Sequence, residues 1–129
     1  MSEKVFKIIV CGGRHFDDYV LLKSVVDKRI EESEFSPGEV EIVSGHCKGA
    51  DMLGEKYAAE HGCSIKVFQA DWGKYGRAAG PVRNKQMVDY IATAENKLVI
   101  AFVNENTKGT KNTVAYAKKA GIPVIEAVY

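Results

Sequence analysis

Cationic or ionisable basic side chains, among them Arg14, His15, His46, Lys48, Lys74, Arg77, Arg83 and Lys108, fall within four short stretches: "GGRHF", "GHCKGAD", "ADWGKYGRAAGPVRN" and "NENTKGTKN". Each stretch also carries glycine. Glycine lets a backbone N–H approach a guest without a Cβ in the way, and guanidinium or ammonium groups offset negative charge, so the combination suits an oxyanion such as phosphate. One glycine taken alone is explained equally well by a tight turn. Recurrence at Gly12-Gly13, Gly45, Gly49 and Gly109, in separate stretches, favours a phosphate-bearing guest.

Other residues in these stretches extend the same chemistry. Pro81 fits the first turn of a helix, where a missing N–H costs little, so "AGPVRN" places Arg83 and Asn84 in that turn, able to point at the guest. Asp71, at the end of an apolar run, is suited to accept from ribose hydroxyls, and Trp72 or Tyr75 to stack on a base, an aromatic lid packed on the core being the alternative. Asp51 follows Gly49-Ala50, where helix capping and ligand contact are both open readings. His46 and Cys47 adjoin, but sequence neighbours chelate poorly and no acid is visibly placed to orient the histidine, so neither a metal pair nor thiolate catalysis is favoured. "GGRHF" lacks the spacing of a dinucleotide fingerprint, and no stretch offers the Gly-Lys-Ser/Thr of a P-loop, so no cofactor is expected.

Five runs rich in Val and Ile must position these residues: 5–11, 39–44, 64–69, 97–102 and 123–128. Helical spacing lies between them, clearest where Leu21, Leu22, Val25, Val26 and Ile30 form one stripe. Near-continuous apolar runs such as "FKIIV" and "KLVIAF" predict strands covered on both faces, hence a parallel sheet with helices on each side. The expected fold is a Rossmann-like doubly wound α/β domain over residues 1–129, with strand order 3-2-1-4-5 preferred over 2-1-3-4-5. In either order the four basic stretches share the carboxyl edge of the sheet, where ligands of this architecture bind. The opposite edge holds the acidic "EESEFSPGE" and loops without Lys or Arg. Connections of this kind usually need only ~2–6 residues, so the longer segment from Asp71 to Gly80 is expected to be a binding loop.

The bulk figures bound the function. Lys and Arg total 18 against 17 Asp and Glu, a formal charge of +1, which argues against a general polyanion binder. Three cysteines without framework spacing and no apolar run near the ~20 residues of a membrane helix lead to an expected cytoplasmic protein.

"GGRHFDDY", "SGHCKGADMLGEKYA", "ADWGKYGRAAGPVRNKQM" and "KGTKNTVAYAKKAGIPV" together resemble the YspA-like branch of the SLOG superfamily, which joins the SMF/DprA DNA-processing proteins and the LOG phosphoribohydrolases. The resemblance implies nucleotide or nucleotide-derived ligands, with Gly12, Arg14, Gly45, Gly49, Asp51, Asp71, Gly80, Arg83, Asn84, Gly109 and Thr110 on motif positions. The hydrolase branch carries a catalytic Glu where this chain has Thr113, and a hydroxyl cannot replace a carboxylate in acid/base work at neutral pH. Three functions follow as expectations. A nucleotide-binding domain leads. A nucleotide N-glycosidase using Asp71, Arg83 or Asp51 comes second, and a DprA-like single-strand binder using Trp72 and Tyr75 third. Small domains of this superfamily commonly pair, and Phe35, Tyr90 or the alanine-rich last helix are candidate faces for a dimer.

Overall fold

The computed structural model of the chain describes residues 4–129. Five strands, β1 (Phe6–Gly12), β2 (Val40–Ser44), β3 (Ser64–Val67), β4 (Asn96–Val103) and β5 (Val124–Val128), pair in parallel in the order β3-β2-β1-β4-β5. This is the preferred order of the two. The helices are α1 (Tyr19–Glu32), α2 (Ala50–His61), α3 (Trp72–Tyr75), α4 (Ala79–Ala92) and α5 (Lys108–Lys119).

Alternation along β1 divides the core between the two faces of the sheet. Ile8 and Val10 pack with Leu22, Val26 and Ile30 of α1 and Tyr57 of α2. Ile9 and Cys11 pack on the other face with Met87, Val88 and Ile91 of α4 and Val114 and Ala117 of α5. The central strands β1 and β4 are thus covered on both sides, as their apolar runs require. Edge strand β3 departs from that rule, since all four of its residues are exposed. On it, Lys66 reaches back over the Phe68 and Tyr90 rings, with Nζ 5.5 and 5.7 Å from the centroids.

Two contacts of the helices show how local chemistry sets the frame. Asp18 caps α1 by accepting from the Leu21 amide at 3.0 Å. Tyr57, almost fully buried in α2, donates its hydroxyl to Asp27 of α1 and so staples the two helices. Phe35 and Tyr90, offered by the sequence as dimer faces, are engaged within the fold. Phe35 packs on Phe6 at 5.5 Å between centroids, while Tyr90 donates to Glu41 and lies under Lys7.

The segment from Asp71 to Gly80 differs from expectation, because it is helical almost throughout. Asp71 caps α3, a single 3-10 turn spans Gly76–Ala78, and α4 begins at Ala79, so Pro81 lies within the first turn as predicted. Glycines at both ends of a four-residue helix disguise it as a loop in the sequence. Removing the interhelical bond of Tyr57 leaves Asp27 with its Lys23 partner but without the phenol. Tyr57→Phe is therefore expected to lower stability by about 1–2 kcal/mol in urea unfolding, with the native fold retained by circular dichroism.

Candidate functional site

The chain runs outward from β1 to β2 and β3, then returns to place β4 on the other side of β1. The connections leaving β1 and β4 therefore diverge, and a cleft opens between them, as expected at such a switch point. Its volume is about 410 Å³, and its walls come from the ends of β1 and β4, the Cys47–Asp51 turn and the starts of α4 and α5.

Arg83 lies at the centre of this edge. It sits one turn into α4 and is 8% exposed. Nη1 donates to the Gly45 carbonyl at 2.7 Å and to Cys47 Sγ at 3.4 Å, while Nε donates to Asn84 Oδ1 at 2.8 Å. Asn84 passes the connection on. Its Nδ2 donates to the Gly109 carbonyl at 3.3 Å and to Asn112 Oδ1 at 3.0 Å, both on α5. One guanidinium thus ties together three segments widely separated in sequence.

Asp51 faces the same space from the first turn of α2. It is 5% exposed, and burial pushes its carboxyl up to about 6. The Cys47 amide and the positive Arg83 oppose that rise, whereas Glu55 adds to it. Cys11 also lines the cleft. Burial, reinforced by Asp51, pushes its thiol far above the ordinary range, and Sγ donates to the Ile100 carbonyl at 3.8 Å.

The turn between β2 and α2 is held under strain. His46 adopts a left-handed φ of 60°, costly for a residue with a Cβ. Its amide donates to Ser44 Oγ at 3.0 Å, and Nδ1 lies 2.8 Å from Glu55 Oε2, which also accepts from Ser44 Oγ at 2.7 Å. An acid does therefore orient this histidine, contrary to the sequence reading. Helix spacing concealed Glu55, nine residues away in α2. Cys47 turns instead toward the Gly45 carbonyl and Arg83, so the two neighbours serve different partners.

Most residues singled out in the sequence converge. Gly12, Gly13, Arg14, Asp51, Trp72, Gly80, Arg83, Asn84, Gly109, Thr110 and Thr113 line the cleft, with His15 and Lys108 beside them. Gly45, Gly49 and Asp71 do not. Gly45 has a packing role: a Cβ there would stand 2.8 Å from Asp51 Oδ2 and 2.9 Å from Arg83 Nη1. Gly49 caps α2 at φ 87°, pressed against the Gly13 carbonyl and the Arg14 backbone. The Asp71 carboxylate accepts from the Lys74 amide at 3.0 Å, which commits it to α3. His46, Lys48, Lys74 and Arg77 likewise lie outside the lining.

Gly12-Gly13 departs from expectation in another respect. It does not open a helix, because α1 begins at Tyr19, and the Gly13 amide donates to the Phe102 carbonyl at 3.2 Å. The α2 start is closed in the same way, the Ala50 amide donating to the Gly13 carbonyl at 3.3 Å. By contrast α5 has no side-chain cap, and its first residues Lys108, Gly109 and Thr110 line the cleft. Its opening amides have no intrahelical acceptor, as at any helix start.

Sequence reasoning passed over Asn104, Asn106, Asn112 and Tyr129, all of which line the cleft. The Tyr129 hydroxyl lies over Gly13, where any side chain would stand, and its ring meets Phe16 edge-on at 4.8 Å. Its amide donates to the Val103 carbonyl at 3.1 Å. No local motif marks Tyr129, since the pairing of β5 with β4 brings it here.

An open parallel sheet with a cleft at its switch point defines a Rossmann-like domain. The chain belongs to the YspA, cpYpsA-related SLOG family, whose model matches residues 6–75, more than half of its length. It is also similar to the Gene 61 protein of Mycobacterium phage D29, with 31% identity over 124 residues, covering 92% of this chain and 94% of that protein. No solved structure gives a significant match. The family segment contributes Gly12 to Arg14, Asp51 and Trp72, whereas Arg83, Asn84 and the α5 residues lie beyond it.

The raised Asp51 carboxyl sets a pH dependence. The folded chain holds its proton up to about pH 6, the unfolded chain only to about the ordinary 3.8, so the folded state binds more protons between these values. Stability is therefore expected to fall as pH rises through this window. Asp51→Asn should flatten the slope and stabilise the protein at pH 8 by about 1–3 kcal/mol, read from denaturant midpoints across pH 4–8.

Proposed function

We propose that the cleft binds a nucleotide or nucleotide-derived ligand, its phosphate held by Arg14, Arg83, Lys108 and the uncapped start of α5. One observation carries the reading. Among the described residues lining the cleft, three permanent cations face a single carboxylate, Asp51, which burial already biases toward its neutral form. Such a lining favours an anion, and the open helix start adds backbone donors aimed the same way. Two aromatic side chains, Trp72 and Tyr129, line the same space and offer flat apolar surface to a base. The volume, about 410 Å³, falls within the ~300–1,000 Å³ of small-molecule sites. Membership of the SLOG family supports a nucleotide-related role.

The reading is one of binding. Thr113, 1% exposed, supplies a hydroxyl where a hydrolase of the related branch would carry its carboxylate, and Asp71 is taken up in capping α3. Among the described residues lining the cleft, Asp51 is the one acid positioned to exchange a proton with a guest.

Isothermal titration at low salt with AMP, ADP and ADP-ribose tests the proposal. Binding of at least one is expected, and Arg14→Ala or Lys108→Ala, both at exposed positions, should each weaken it about three- to thirtyfold without altering the melting temperature. Absence of heat with all three at millimolar concentration would overturn it.

A further inference from the structure

Arginine has five N–H donors and no acceptor, which makes Arg83 a fixed reference for the polarity of every amide connected to it. Its Nε lies 2.8 Å from the Asn84 side chain, so the atom facing it must be the Asn84 oxygen. The Asn84 nitrogen then points the other way, and its two hydrogens go to the Gly109 carbonyl and to Asn112. A donor at 3.0 Å obliges Asn112 in turn to present its oxygen inward. Exchanging oxygen and nitrogen at either asparagine would set donor against donor. The relay consequently has one direction, from guanidinium through Asn84 to Asn112.

Asn112 is half-buried and lines the cleft alongside Lys108, Gly109, Thr110 and Thr113. With its oxygen held inward by Asn84, the end of the Asn112 amide turned outward to a guest is Nδ2. We propose that Asn112 is a ligand-contacting, specificity-determining residue whose amide is locked as a donor, selecting a phosphate-type oxygen at the α5 side of the cleft over a group that brings its own hydrogen. The inference rests on the nucleotide reading for the identity of the whole ligand. It differs from that reading in assigning selectivity to a neutral side chain, one that neither charge nor motif had marked. Orientation carries the argument: an asparagine free to rotate its amide would accept donors and acceptors alike.

Asn112→Asp is the discriminating change, because it preserves the shape and the acceptor for Asn84 while replacing the outward donor with a charged acceptor. Titration of wild type, Asn112→Asp and Asn112→Ala with AMP and with uncharged adenosine should show AMP weakened roughly tenfold or more by Asp and less by Ala, with adenosine changed less than threefold. Equal AMP affinity in all three proteins would overturn the inference while leaving nucleotide binding intact.

A measurement on the wild type separates the two ideas further. In ¹⁵N spectra the Asn84 side-chain amide protons should exchange slowly, whereas those of Asn112 should exchange fast and move on addition of inorganic phosphate. If AMP, ADP and ADP-ribose all fail to bind, the nucleotide reading falls, and the phosphate titration alone decides the inference. An Asn112 signal that stays still in tens of millimolar phosphate, or that is protected like Asn84, overturns it. This wild-type measurement also covers the case of a variant that fails to fold.

Discussion

A guanidinium withdrawn from water must be met by acceptors on the sides that face protein, and Arg83 satisfies that requirement with the Gly45 carbonyl and the Asn84 oxygen. The demand spreads outward. Gly45 has to lack a side chain so that Arg83 and Asp51 can both approach it, and the turn that supplies this carbonyl passes through His46 in a conformation most residues avoid. Ser44 and Glu55 hold the turn in place, and Glu55 in turn adds to the rise in the Asp51 carboxyl. Asn84 carries the same constraint across to α5. The shape of the cleft is thus largely a consequence of where one buried charge finds its partners.

That arrangement decides which groups remain for a guest. The Gly13 and Ala50 amides are spent on the fold, so the glycine pair after β1 serves as a wall rather than a cradle. Open donors concentrate instead at the start of α5, beside Lys108, with Arg14 and His15 on the opposite side. Tyr129 closes the end near Gly13 and Trp72 borders the α4 side. Polar recognition and aromatic surface therefore come from different elements, and the sheet fixes their separation.

Much of this was legible in the sequence, for identifiable reasons. The strands of a parallel sheet bury both faces, so β1 and β4 appear as unbroken apolar runs, and the crossover rule then leaves few strand orders. Loop cations confined to alternate connections marked the edge at which the cleft opens. The sequence could not show which glycines contact a guest and which simply make room, since Gly45 and Gly49 owe their identity to atoms of distant segments. Short α3 was hidden because four residues are too few for periodicity to register. Glu55, Asn112 and Tyr129 were missed for the opposite reason. Two belong to helices whose exposed faces are polar anyway, and the third comes beside Gly13 only through the pairing of β5 with β4. Residue types announced the chemistry, while tertiary proximity assigned the partners.

Strand β3 lies at the far edge of the sheet, four residues long and open to solvent on both faces. Backbone groups on such a margin would readily recruit a strand from another molecule, the first step toward insoluble assemblies. Lys66 stands in the middle of this margin with its ammonium folded over Phe68 and Tyr90, covering half-buried rings while keeping a charge beside the unpaired backbone. In a chain whose net charge is close to zero, mutual repulsion between molecules gives little colloidal protection. Resistance to such recruitment at this border thus rests on a local guard.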